Sequence, residues 1–295
     1  MDFRQICTLL DSLQKSGYEI LSISGGEPLV YSHIDEIIDY AHSIGLRVNL
    51  ITNGMIIDRL IEVAPKINIF AISIDGTEAK HDLLRNQKGA YSTLINNFRI
   101  LNEHAIPFGL AFCATKENLA NLTDVYDLAL EHHAVLLQIH PLVKIGRGEK
   151  IDEICLSDQE IDKLFLTAKL LEEASKGTGL AIQLDVLPKN ALESAQSCLF
   201  SATNEESISD FINPLVITEK GEILPYAYGI DNTYSLGTID ESWDKIVQKY
   251  KQEDFYKIKH LVINSFNEFQ NSDKKIIDWY YSIVHLSRSQ EVAFP

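Results

Sequence analysis

The stretch Ser22-Ile-Ser-Gly-Gly-Glu-Pro-Leu-Val-Tyr31 opens as the end of a strand and ceases to be one within three residues. Before it, Tyr18-Glu-Ile-Leu-Ser-Ile-Ser24 is a short apolar run bounded by Gly17 on one side and Gly25-Gly26 on the other. Such a run reads as a buried strand. Two glycines directly after a strand let the backbone pass close to a ligand, and Pro28 fixes the exit of the turn. Glu27 then stands at the open end of the sheet, where its carboxylate can accept hydrogen bonds from a cationic ligand group. It can equally cap the segment that follows.

Working outward, the same punctuation recurs. Phe3, Ile6, Leu9, Leu10 and Leu13 fall on one helical face before the first strand. After it come a helix in HIDEIIDYAHSIG, a strand RVNLIT, a helix around 56–64 and a strand INIFAISI. A helix near 91–104, a strand IPFGLAFC, a helix near 117–131 and a strand AVLLQIH follow. Five strands rich in Val, Ile, Leu and Phe, each separated by a helix, predict a parallel sheet covered by helices. Their C-terminal ends read SISGGEP, LITNG, SIDG, CATKEN and HPLVKIG. Polar and glycine residues therefore collect where ligands bind in parallel α/β sheets and barrels.

Beyond about residue 150 the pattern changes. The capping-box sequence Ser157-Asp-Gln-Glu160 starts a helix running to about Ser175, followed by a strand LAIQLD and the polar stretch ESAQSCLFSATNEESISD. PLVITEKGEILPY predicts a hairpin turning at Glu219-Lys220-Gly221, and two helices close the chain. The expected organisation is a main domain over 1–150 and a smaller α+β extension over 151–295, without repeats or a low-complexity linker.

Composition narrows the classes of function. The 295 residues are 45% hydrophobic and 23% charged, with 42 acidic against 26 basic side chains and a formal net charge of −16. That balance disfavours broad binding to nucleic acid or to an anionic membrane. No apolar run is long enough to span a bilayer, and MDFRQICTLL lacks the basic start and small-residue cleavage site of a signal peptide, so a cytoplasmic setting is expected. Cys7, Cys113, Cys155 and Cys198 are too scattered for a local metal motif, and adjacent His132 and His133 cannot share a metal as an i, i+4 pair can. No metal-ligating set and no catalytic residue is assigned.

GGEP at 25–28, TNG at 52–54, SIDG at 73–76 with HDLLR at 81–85, and PLVKIGRG at 141–148 resemble, in this order, the radical S-adenosylmethionine enzymes. The resemblance is to the peptide- and protein-modifying group with a C-terminal SPASM or twitch extension. It implies a partial parallel (β/α) barrel with a small α+β extension, a peptide or protein substrate, and S-adenosylmethionine bound at the strand C-termini. Gly25, Gly26 and Glu27 would receive the methionyl amino group, beside Pro28. Ser73 and Arg85 would hold the methionyl carboxylate, with Arg85 giving the fork that carboxylates favour. Thr52 and Asn53 would lie beside the ligand, Asn118 and Gln138 would reach the ribose or adenine, and Asp75 belongs to the same set. Asn53-Gly54 and Asp75-Gly76 are also ordinary turn pairs, and Arg85 has an alternative reading as an ion-pair partner.

The resemblance has a gap. Its four-iron cluster needs three thiolates from a CxxxCxxC loop after a first strand, and both would precede Met1. SCLFS, VITEKGEILPY and YSLGTIDESWDKI resemble the opening of the extension, with Cys198 at a first ligand position and Tyr226 where a cysteine is expected. Two readings follow: a shortened copy of a working radical enzyme, or a cluster-free relative that binds S-adenosylmethionine but forms no radical. A non-enzymatic module holding a precursor peptide or partner is the rival class. A metal-free enzyme using Glu27 with Asp75 as an acid/base pair is a further one. The missing strand leaves a sheet edge open to a partner.

Overall fold

Burial alternates along the outer strands of the main sheet, and the alternation decides what they can offer to a ligand. The computed structural model describes residues 2–145 and 152–289. Its contacts divide the chain into two units, Ile20–Asp185 and a second formed by Met1–Glu19 together with Val186–Pro295.

Helix α1 (Phe3–Lys15) comes first in the chain and belongs to the second unit. The first unit contains β1 (Ile20–Ile23), α2 (Ile34–Ser43), β2 (Arg47–Thr52), α3 (Ile57–Val63), β3 (Ile69–Ser73), α4 (Glu78–Arg85) and α5 (Ala90–Glu103). It continues with β4 (Gly109–Ala114), α6 (Leu122–Glu131), β5 (Leu136–Pro141), α7 (Asp158–Ala174) and β6 (Ala181–Leu184). The six strands form one parallel sheet in sequential order, β1-β2-β3-β4-β5-β6. Each helix returns the chain to the strand's starting edge, so every C-terminal strand end emerges on the same side.

On one face of the sheet Val48, Leu50, Phe70, Ile72, Leu110, Phe112, Leu137 and Ile139 are at most 2% exposed. Burying each such side chain stabilises the fold by about 1.5–3 kcal/mol. Helix α2 lies against β2 and α6 against β4 and β5. Helix α5 adds Leu94, Phe98 and Leu101, with Phe98 stacked on Phe108 at a centroid distance of 5.0 Å. The opposite parity carries Asn49, Ile51, Ser73, Cys113, Gln138 and His140, all half-buried. A polar residue there remains within reach of solvent or ligand.

All five strands expected from SISGGEP to HPLVKIG are present, but the sheet has a sixth. LAIQLD, expected in the extension, forms β6 and pairs parallel to β5 from Leu136↔Ala181 to Ile139↔Leu184. Helix α7 is thus the crossover of another β/α repeat, and the contact division falls after Asp185 instead of near residue 150. The capping box at Ser157 and Glu160 is formed, as its sequence predicts. Of PLVKIGRG, residues 146–148 lie outside the described residues.

The second unit joins α1 to the C-terminal part of the chain. It contains β7 (Leu187–Pro188), α8 (Lys189–Ser194), α9 (Gln196–Ser201), α10 (Ile208–Phe211), β8 (Leu215–Ile217), β9 (Glu222–Pro225) and β10 (Gly237–Thr238). Helices α11 (Trp243–Lys249) and α12 (Phe255–Asn271), β11 (Ile276–Ile277) and α13 (Trp279–Ser289) complete it. β8 and β9 form the expected antiparallel hairpin, turning through Gly221 at φ 81°, and β10 pairs on the other side of β9. Asp2 caps α1 through its carboxylate. The end of α1 is then held by long-range bonds: Ser207 and Ser209 hydroxyls donate to Ser16 O at 2.8 and 2.7 Å, and Trp243 Nε1 donates to Ser16 Oγ at 2.7 Å. Among the described residues no helix is long and apolar enough to cross a membrane.

Candidate functional site

Glu27 is fixed by the strand beside it. Its Oε1 accepts from the Thr52 hydroxyl at 2.7 Å and from the Leu29 N–H at 3.2 Å, while Oε2 accepts from the Asn53 N–H at 2.7 Å. One carboxylate therefore caps the short 3-10 turn Pro28–Val30 and ties the end of β1 to the end of β2. A carboxylate has about four acceptor sites, so capacity remains for a ligand. Gly25 adopts φ 107°, and a Cβ on Gly25 or Gly26 would meet nothing within 4 Å. The backbone here is accessible from the side on which a side chain would stand.

Thr52 is buried, and its hydroxyl is engaged by Glu27 and by the Gly54 N–H at 3.1 Å. It positions the carboxylate, a role that the strand-end motif does not reveal. Asn53 uses Oδ1 to accept from the Met55 N–H at 2.9 Å, leaving Nδ2 without a partner among the described residues. The β2–β3 register ends at Thr52↔Ile72, and Asn53 and Ser73 are the next residues along the two segments; the half-buried Ser73 hydroxyl also has no described partner.

Asp75 continues the line from β3. Arg85 Nε donates to its Oδ2 at 2.6 Å, and His81 Nδ1 lies 3.2 Å from its backbone N and 3.5 Å from Oδ2. Burial raises the Asp75 carboxyl, but neighbouring His81 and Arg85 outweigh it and hold it below the usual carboxylate range. Arg85, at the end of α4, makes the ion pair that its alternative reading foresaw, yet its two terminal nitrogens have no partner among the described residues. They remain available to a second carboxylate.

Asn118 behaves differently from the expectation of ribose or adenine contact. It is fully buried, with Nδ2 donating to Asp75 O at 3.1 Å and Cys113 O at 3.0 Å. Its Oδ1 accepts from Thr115 N–H at 2.7 Å and Thr115 Oγ1 at 3.0 Å. Every polar atom of the amide is occupied in joining the ends of β3 and β4. Gln138 does stand on the accessible face, and its Nε2 donates to Asp185 Oδ2 at 3.2 Å.

Other residues on that face escaped the motif reading. Register aligns Cys113 with His140, and the Asp185 N–H donates to Ile139 O at 3.0 Å, extending the same line. Burial, reinforced by Asp75 and Cys155 and opposed by Arg85, pushes the Cys113 thiol up to about 12. Burial also lowers His140, against the charges of Asp185 and Asp75. The alternation in LLQIH and AIQLD was the available signal, because Gln138 and His140, like Gln183 and Asp185, are two residues apart.

An iron–sulfur cluster does not fit the described donors. No group of three or more His, Cys, Asp or Glu side chains is gathered as metal ligands among the described residues. Cys7 and Cys198 lie in the second unit and Cys113 and Cys155 in the first, none in a disulfide. At the extension position where the resemblance expects a cysteine, Tyr226 is buried and donates its hydroxyl to Phe211 O at 2.8 Å.

Comparison with known proteins agrees with this arrangement. The chain is 35% identical over 155 residues to an AdoMet-dependent heme synthase of Methanosarcina barkeri, covering 51% of this chain and 44% of that one. It is 27% identical over 222 residues to the PqqA peptide cyclase of Gluconobacter oxydans, covering 74% and 59%. The chain therefore spans about half the length of these curated relatives. Streptococcus suis SuiB bound to S-adenosylmethionine has the same fold, with a TM-score of 0.64 at 15% identity, covering 86% of this chain and 59% of SuiB. SuiB bound to its precursor peptide SuiA gives 0.65 at 16% identity, covering 86% and 58%. The family model described as the radical SAM superfamily matches residues 1–129, the part of the chain that carries β1–β4 and their strand-end motifs.

Proposed function

We propose that the first unit binds S-adenosylmethionine at the C-terminal ends of β1–β3 and that the protein serves peptide or protein maturation. The observation that supports this reading is Glu27 tied to Asn53 beside an open glycine backbone, with Ser73 at the end of β3 and Arg85 paired to Asp75 two residues beyond it. A methionyl group presents an ammonium and a carboxylate. Glu27 and the Gly25–Gly26 carbonyls suit the ammonium, while the Ser73 hydroxyl and the terminal nitrogens of Arg85 suit the carboxylate. Pro28 and Thr52 shape and hold the Glu27 loop, Asp75 aims Arg85, and Asn118 joins two strand ends behind them. When bound, S-adenosylmethionine supplies a reactive sulfonium.

The peptide reading is supported by SuiB, solved with a precursor peptide, and by the peptide cyclase among the relatives. Isothermal titration with S-adenosylmethionine tests the cofactor site. Glu27→Ala and Arg85→Ala should each weaken binding by roughly 10- to 100-fold, the scale of losing a hydrogen bond to a charged group. Unchanged affinity in both variants, or no binding by the wild-type chain, overturns it. Peptide binding indifferent to S-adenosylmethionine would instead support the non-enzymatic module.

A further inference from the structure

The β1–β3 ends account for the cofactor reading, but the β5–β6 half of the same sheet face is left with a construction of its own. Asp185 holds its carboxylate between two carboxamides, accepting from Gln138 Nε2 at 3.2 Å and from Gln183 Nε2 at 3.3 Å. Because a carboxylate can only accept, both amides must turn their NH2 groups toward it and their carbonyl oxygens away. Beside them the His140 ring is deeply set among protein atoms while its residue keeps an accessible surface. Neither ring nitrogen makes a hydrogen bond among the described residues.

What this surface lacks is equally informative. On the accessible parity of β3 to β6 the sequence places no lysine or arginine, and the cofactor reading above gives the terminal nitrogens of Arg85 to the methionyl carboxylate. The outward functions are therefore mostly acceptors: the Asp185 carboxylate, two amide oxygens and one nitrogen of a neutral imidazole. A surface of acceptors matches a ligand rich in donors, and an ammonium or guanidinium offers three to five N–H groups on one cation. A polycarboxylate would meet acceptor facing acceptor and an uncompensated charge.

We infer that His140, Gln138, Gln183 and Asp185 form a substrate subsite selecting the cationic side chain of a lysine- or arginine-bearing peptide over a polyanionic substrate. This names the substrate class of the site proposed above and rests on that reading. Asp185 is its specificity-determining residue.

The experiment uses the full chain, with and without S-adenosylmethionine, and three probes: an acetylated, amidated alanine hexapeptide with two central lysines, its glutamate counterpart, and coproporphyrin III as a tetracarboxylate. The lysine peptide should bind at least 10-fold more tightly than the glutamate peptide. Asp185→Asn should weaken the lysine peptide about 10-fold, and Asp185→Lys should reverse the preference, while both variants bind S-adenosylmethionine as the wild type does. Equal affinity for the two peptides, no binding of either, or tighter binding of coproporphyrin III than of the lysine peptide overturns the inference. Failure of S-adenosylmethionine to bind, with lysine selectivity intact, would overturn the cofactor reading alone.

Discussion

Asp75 shows how one residue can be both motif and scaffold. Its carboxylate is 11% exposed, and its backbone N–H and carbonyl serve His81 and Asn118. The surroundings favour the ionised form in the folded chain, so the unfolded chain takes up the proton first as pH falls. The stabilisation is complete above the unfolded value of about 4 and is lost as pH drops through the lower folded value. Melting temperatures from pH 7 to 2.5 should fall less steeply below pH 4 in Asp75→Asn than in the wild type. Parallel profiles would remove Asp75 from the acid limb. Asn118 illustrates the opposite case, since a polar side chain at a strand end looks like a ligand contact in sequence. Only its partners reveal that no polar atom is left over.

At the scale of an element, the turn after β2 is set by a single glycine. Gly54 has φ 72°, its carbonyl accepts from buried Asn97 Nδ2 at 2.8 Å, and a Cβ would lie 2.5 Å from Ile72 Cγ2. Gly54→Ala therefore combines left-handed strain with overpacking against β3. A loss of roughly 2–4 kcal/mol is expected, measurable as a lower denaturant midpoint at constant slope. A neutral substitution would show that the β2–β3 corner yields. Because Asn53 and Thr52 share this turn, a displaced corner should also weaken S-adenosylmethionine binding. The strands β5 and β6 teach a second lesson at this scale. β5 carries Gln138 and His140 on one parity, β6 carries Gln183 with Asp185 just past its end, and only the side-by-side register makes these four residues one surface.

The molecule as a whole is divided in a way that chain order conceals. Helix α1 precedes the first strand, yet its contacts group it with residues beyond Val186. Tyr18 donates its hydroxyl to Ile212 O at 2.7 Å, Gln5 Nε2 donates to Asp240 Oδ1 at 2.6 Å, and a Cβ on Gly17 would meet Ser209 Oγ at 2.7 Å. Native-state hydrogen exchange should show α1 amides opening together with β8–β10, and at a free energy distinct from the β2–β5 core. Opening of α1 in step with β2–β5 instead would contradict the division. The second unit consequently needs both ends of the chain to complete its packing.

The sequence by itself determined the parallel β/α sheet, because apolar runs of strand length alternating with amphipathic helices have few other ways to bury their surface. It also placed Gly25, Gly26, Glu27, Asn53 and Ser73 at strand ends, since polar residues interrupting such runs mark where the sheet stops. Tertiary structure decided what each of those groups has left to offer. Whether Thr52 or Asn118 faces a ligand depends on hydrogen-bond partners far away in the chain, and local pattern carries no record of them. The same holds for β6 and α1, whose places follow from pairing with β5 and from packing on the C-terminal segment. Periodicity reports which face of an element is apolar; the register and the long-range contacts determine what that face meets.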